Sequence, residues 1–167
     1  MLRVIGRASI TLFLSTLVAT FAYADPPEGY AFTDFNTGLA RAKAENKPIF
    51  LYFGRYGCAW CDHVNRKTFS DPELKQLYGD RYVLVYADAE GGKRLRLASG
   101  ERLTEAELGT RLGAFATPLF VYLNPDGKVL AKVPGFKTVA DFKDFDRYIQ
   151  GKHYEKQTLG EFLGGGK

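Results

Sequence analysis

Three short apolar runs constrain this chain more than any other feature: Ile49 to Phe53 (IFLYF), Tyr82 to Ala87 (YVLVYA) and Leu119 to Leu123 (LFVYL). Each reads as a strand buried on both faces. A sheet of such strands needs helices on both sides, and the intervening stretches provide them. Thr33 to Asn46 puts Phe35, Leu39, Ala42 and Ala44 toward an apolar side and ends at Lys47-Pro48. Ala59 to Phe69 contains no Gly or Pro, so a helix can run through it. Ser70-Asp71-Pro72-Glu73 has a capping hydroxyl or carboxylate, an early Pro and a Glu three after the Ser, which predicts a short helix to about Tyr78. Thr104-x-x-Glu107 is a capping box whose helix ends near Gly113, and Thr138 to Gln150 places Val139, Phe142, Phe145 and Ile149 at helical spacing. Asn124-Pro125-Asp126-Gly127 followed by alternation over Lys128 to Val133 predicts a hairpin. Gly91 to Gly100, Gly-rich and basic, reads as a surface excursion or hairpin, and no internal repeat is present. The order of elements predicts an α/β layer structure with parallel and antiparallel strands in one sheet. With 167 residues, 46% of them hydrophobic, one domain is expected.

The first 24 residues stand apart. Met1 to Arg7 carries two arginines and no acid, Ala8 to Ala22 is uncharged and apolar-rich, and Ala22-Tyr23-Ala24 has the small, bulky, small pattern of a signal-peptidase site. Residues 1–24 are therefore read as a signal peptide cleaved before Asp25. The alternative is an uncut anchor, although the apolar run falls short of the ~20 residues of a spanning helix. Without Arg3 and Arg7, the 23 basic residues become 21 against 19 acidic ones, a formal charge of only +2. So small an excess argues against nucleic acid as a partner, since neutralising a phosphate backbone needs a concentrated basic stripe. Lys93, Arg94, Arg96 and Arg102 form the one basic cluster, read here as a solvated loop.

Both cysteines of the chain lie in Cys58-Ala59-Trp60-Cys61, where the first buried strand gives way to a helix. In open α/β sheets, the carboxyl ends of strands are the usual place for chemistry. Exported cysteines usually pair. A bridge across so short a loop adds little chain-entropy stabilisation, so this one points to reactive sulfur and not to a staple. Cys58, at the positive end of the helix dipole, is the expected nucleophile, and Cys61, one turn in, the resolving thiol. Zinc usually takes four ligands, and only His63 and His153 remain to join the two cysteines. Haem attachment would need His where Asp62 stands. No cofactor and no resident metal is expected.

Asp62 lies on nearly the same helix side as Cys58, where its charge opposes the dipole. His63 is expected to be solvated and Trp60 to form an exposed apolar contact surface. Thr117-Pro118 precedes the third strand, where an ordinary trans proline would only mark a strand start.

The chain resembles thioredoxin-fold proteins. The resemblance rests on IFLYF, on Cys58 to Cys61 opening a helix, on the strand ending at Asp88, on Ala116-Thr117-Pro118-Leu119-Phe120-Val121, on Asn124-Pro125-Asp126-Gly127-Lys128 and on Pro134-Gly135-Phe136. It spans roughly residues 47 to 150. Gly57-Cys58-Ala59-Trp60-Cys61 through Thr68-Phe69-Ser70-Asp71-Pro72-Glu73 is similar to exported thioredoxin-like domains that pass electrons in the bacterial periplasm. The basic stretch at 91 to 103 and the tail from Lys152 to Leu163 look most like SoxW-type thioredoxins.

The resemblance implies a thioredoxin fold, with a central mixed sheet of about four to five strands flanked by helices. It also implies a cis Pro118 beside the cysteines and a Thr117 backbone that pairs with a bound substrate strand. The chain departs from cytosolic thioredoxins in having Gly57 before the first cysteine and Ala59-Trp60 between the pair. Tyr52 stands where those proteins carry a buried acid.

The expected organisation is a signal peptide over 1–24, a thioredoxin-like domain over 25–155 and a tail over 156–167, frayed past Gly151. The expected activity is that of a periplasmic, monomeric thiol–disulfide oxidoreductase working through a Cys58–Cys61 disulfide, with Trp60, Thr117 and Pro118 positioning the partner. It would reduce disulfide-containing proteins or small molecules and draw electrons from a membrane thiol reductant, with no stable membrane insertion after cleavage. The alternatives are a disulfide-forming oxidase or isomerase, and a copper or zinc delivery protein using the same cysteines.

Overall fold

The computed structural model describes residues 26–165, so the signal-peptide assignment lies outside the described residues. The three apolar runs form strands β1 (Ile49–Gly54), β2 (Val83–Asp88) and β5 (Leu119–Leu123), joined by β6 (Val129–Pro134) in a sheet of order β2-β1-β5-β6. β2 runs parallel to β1, while β5 and β6 are antiparallel to their neighbours. Helices α1 (Phe35–Glu45), α2 (Ala59–Lys67), α3 (Pro72–Arg81), α4 (Glu105–Leu112) and α5 (Val139–Gln150) flank it. A two-stranded ribbon of β3 (Arg94–Arg96) and β4 (Arg102–Thr104) occupies the Gly-rich basic stretch.

All of β1 is buried, and its period of two sorts the side chains by shape. Phe50 and Tyr52 face one side with Phe120 and Tyr122, against Val64 of α2, Leu74 and Tyr78 of α3 and Phe142 and Phe145 of α5. Ile49, Leu51 and Phe53 face the other with Val85, Val121 and Leu123, against Phe35 and Ala42 of α1 and Leu108 of α4. One core layer is thus mainly aromatic and the other mainly aliphatic. In the aromatic layer, Phe50 stacks on Phe120 at 5.7 Å and meets Tyr78 edge-on at 5.0 Å, geometries that ring quadrupoles favour. Hydroxyls at its centre are satisfied internally: Tyr78 donates to the Phe142 carbonyl at 2.8 Å and pairs with the Tyr122 hydroxyl at 2.7 Å. Asp146 accepts from Tyr82 at 3.0 Å and pairs with Arg81.

The helix starts show how local chemistry sets boundaries. The side chains of Thr104 and Thr138 close capping boxes with Glu107 and Asp141. At the third helix the carboxylate caps and the serine does not: Asp71 accepts from the Leu74 N–H at 2.8 Å, while Ser70 donates back to the Arg66 carbonyl. That helix runs to Arg81, three residues past the expected end. The open edge of β2 is bridged by Thr33, whose N–H donates to Leu84 and whose carbonyl accepts from Tyr86.

The tail past Gly151 is folded, in contrast to the expected fraying. A 3₁₀ turn at His153–Glu155 leads into α6 (Leu159–Gly164), capped by the Thr158–Glu161 box. Phe162 packs on Tyr148 at 5.4 Å, and the Tyr148 hydroxyl donates to the Gln157 carbonyl at 2.8 Å. Gly160 and Gly164 hide this helix from a reading of composition, because packing against α5 supplies the stability that propensity lacks.

Two predictions follow from burial. Tyr78→Phe leaves the buried Tyr122 hydroxyl without its partner and should lower unfolding free energy in urea by about 1–2 kcal/mol with an unchanged m-value. Burial of Glu105, at the start of α4, raises its carboxyl above the ordinary 4.5 despite nearby Lys93. The folded state therefore holds this proton to higher pH than the unfolded chain, and stability from the group falls as pH rises through that window. Glu105→Gln should gain stability relative to wild type from pH 4.5 upward, and paired urea titrations at acid and neutral pH measure the gain.

Candidate active site

The site lies where β1 ends. Gly54 passes so close to the Tyr86 hydroxyl that a methyl group on it would collide, and Gly57 takes a left-handed φ of +66° as the chain turns into α2. Cys58 is the N-cap of α2 with extended backbone, and Cys61 sits in the first helical turn. The two form a disulfide with Cα atoms 5.2 Å apart.

The Cys58 sulfur is the focus of the polar contacts. It accepts the Cys61 N–H at 3.1 Å and the Thr117 hydroxyl at 3.2 Å, and lies 3.5 Å from the Thr117 carbonyl oxygen. The N–H comes from the positive end of α2, the hydroxyl from a loop 59 residues away. Cys58 is 8% exposed and Cys61 5%, so the pair opens only slightly to solvent. Pro118, joined to Thr117 by a cis peptide bond, is buried beside it at the start of β5. The structure therefore brings Cys58, Cys61, Thr117 and Pro118 together.

Trp60 is 61% exposed, as its position between the cysteines suggested. His63 differs from expectation. It is half-buried, with its ring 4.9 Å from Phe136 and 5.7 Å from Trp60, because α2 turns it toward the loop after β6. Below the disulfide, the Tyr52 hydroxyl pairs with Asn65 at 3.2 Å, and burial pushes the phenol far above its ordinary value. A neutral hydroxyl thus occupies the space under α2.

Tyr56, 67% exposed, and Phe115, 80% exposed, were not singled out from the sequence. They stand on the two segments that meet at Cys58 and Thr117, and like Trp60 they are exposed aromatic residues flanking the site in sequence. Their only signal was position, two residues before Cys58 and two before Thr117, because aromatic residues ordinarily read as core. Among the described residues, no group of three or more His, Cys, Asp or Glu side chains converges as a metal site.

Fold and disulfide together define the class, a thioredoxin-like domain with a cysteine pair bridged at the start of a helix. The thioredoxin-like domain family matches residues 35–150, and the chain belongs to that family. The chain is 38% identical to mouse (Mus musculus) spermatogenesis-associated protein 20 over 50 residues, covering 30% of this chain and 6% of that protein. With the thiol:disulfide interchange protein DsbD of Salmonella typhi it shares 28% identity over 125 residues, 71% of this chain and 20% of that protein. It therefore spans only a small part of either relative. A thioredoxin from Thermus thermophilus superposes with a TM-score of 0.62 at 23% identity, over 74% of this chain and 88% of that one, a likeness of fold.

The donors on Cys58 stabilise a thiolate there once the bridge is reduced. Thr117→Val removes one of them and should slow alkylation of reduced Cys58 by iodoacetamide about ten-fold at neutral pH. The midpoint of the pH profile should move upward by about one unit.

Proposed function

We propose that this protein is a periplasmic oxidoreductase that reduces disulfides. The observation that carries the proposal is the Cys58–Cys61 bridge at the start of α2, with two donors aimed at the Cys58 sulfur. In the dithiol form, the Cys58 thiolate attacks one sulfur of a partner disulfide, and the partner's other sulfur leaves as a thiolate and takes up a proton. The Cys61 thiolate then attacks the Cys58 sulfur of the mixed disulfide, releasing the partner's second thiol and forming the Cys58–Cys61 bridge. Two electrons have passed to the partner. A membrane thiol reductant returns them by the reverse exchange.

The roles follow from the site. Cys58 lies at the helix end that favours a thiolate, whereas Cys61 is enclosed within the first turn and its attack is intramolecular. Thr117 and Pro118 line the approach to the sulfur, and a partner strand would pair with the Thr117 backbone. Trp60 offers that partner apolar surface. Export is supported by the sequence of residues 1–24, and no helix among the described residues is long and apolar enough to cross a membrane. The name of the Salmonella relative, a thiol:disulfide interchange protein, supports the chemistry.

One observation favours the opposite direction. Donors that hold a Cys58 thiolate stabilise the reduced form, and a stabilised reduced form is what makes a disulfide oxidising. The reduction potential separates the readings: about −230 mV or lower supports the reductant, and about −120 mV the oxidase.

The mechanism predicts an asymmetry between the cysteines. Cys61→Ser should accumulate a mixed disulfide through Cys58, seen as a partner adduct on a non-reducing gel and by mass spectrometry. Cys58→Ala should form none and lose at least about 10³-fold in exchange rate. Adducts through Cys61 in the Cys58 variant would reverse the assignment.

A further inference from the structure

The β3–β4 ribbon carries an arrangement that the redox site does not use. Leu95 and Leu103 point inward and are buried, so alternation sends Arg94, Arg96 and Arg102 to the outer face. The register sets Arg96 directly opposite Arg102. Like charges in that position destabilise a strand pair.

The acids that could neutralise them are engaged elsewhere. Glu101 makes a two-pronged pair with Arg111 at 2.7 and 2.8 Å, and Glu107 closes the Thr104 capping box, with Arg94 near enough to lower its carboxyl further. Lys93 is near enough to Asp34 and Glu105 for its charge to favour both carboxylates. Among the described residues, neither Arg96 nor Arg102 forms an ion pair.

The ribbon is also held rigidly. Asn36, in the first turn of α1, donates to the Arg96 carbonyl at 2.8 Å and accepts the Arg96 N–H at 3.2 Å. Glu105 N–H donates to the Lys93 carbonyl and Ala106 N–H to that of Gly91. The ribbon follows β2, whose last residue, Asp88, pairs with Gly54, four residues before Cys58. It therefore springs from the end of the sheet that carries the disulfide.

We infer that the outer face of this ribbon docks an acidic segment of the protein partner that exchanges disulfides at Cys58. Planar guanidinium groups on a fixed strand suit carboxylates, which they can bind with two parallel hydrogen bonds. The outer face presents Arg94, Arg96, Arg102 and Thr104 and no aromatic or aliphatic side chain, so it lacks the groups that enter a bilayer interface. A charged patch at the same end of the sheet as a reactive centre speeds encounter and selects partners.

Only the kinetic readout of the test rests on the oxidoreductase reading. The probes are two disulfide-linked peptides of equal length, one with a run of glutamates and the other with glutamines in their place. With wild type in about 20 mM salt, the glutamate peptide should be reduced about five-fold faster than the glutamine peptide, an advantage lost at about 200 mM salt. Arg96→Ser/Arg102→Ser should abolish the preference and leave the glutamine rate unchanged, and Arg96→Lys/Arg102→Lys should restore part of it. Fluorescence anisotropy of the labelled peptides with the oxidised protein measures binding without exchange. Preferential, arginine-dependent binding with no reduction of either peptide would refute the oxidoreductase reading and uphold the surface. Equal binding of the two peptides would overturn the surface, as would arginine-dependent binding to phosphatidylglycerol vesicles without a glutamate preference.

Discussion

Burial of β1 on both faces is the constraint on which the rest of this structure depends. A strand with no solvent side must be paired along both edges and covered above and below, and β2, β5 and the two helix layers do this. Segregating aromatic from aliphatic side chains sets the two layers apart, with broad rings under α2, α3 and α5 and branched chains under α1. A one-residue slip of β1 would exchange the layers. The register of the central strand is therefore specified, and with it the point in space where the strand ends and the cysteines begin.

What the site can do follows from that end point. A helix start provides unpaired N–H groups and a positive potential, but the second donor comes from the loop before β5. It reaches Cys58 because β5 is the strand next to β1. A sulfur held by one donor from its own motif and another from a segment 59 residues away has its charge preference set by motif and fold together. Reactivity at Cys58 and stability of the sheet are thus linked through one strand pairing.

Helix starts were largely legible because capping is a local contract between residues three apart, and Thr104, Thr138 and their acidic partners kept it. Two adjacent candidates left a choice at Ser70 and Asp71 that only backbone geometry could make. The tail misled for a physical reason: Phe162 is a single aromatic among glycines, and its value lies in the Tyr148 and His153 rings it covers. His63 misled likewise, since Phe136 lies 73 residues along the chain and nothing local places the two rings in contact.

Periodicity and end signals in the sequence alone determined the strands, most helices, the mixed α/β class and the presence of a cysteine pair at a strand-to-helix junction. These depend on interactions within a few residues, or on hydrophobic burial that a pattern records directly. Only the tertiary structure decided that the Thr117 hydroxyl meets Cys58, that Tyr56 and Phe115 stand exposed on the segments that meet there, and that Arg96 and Arg102 share one outward face. Each of these joins segments or chooses a face through strand pairing, and pairing is selected by the whole core at once, so no local pattern contains it.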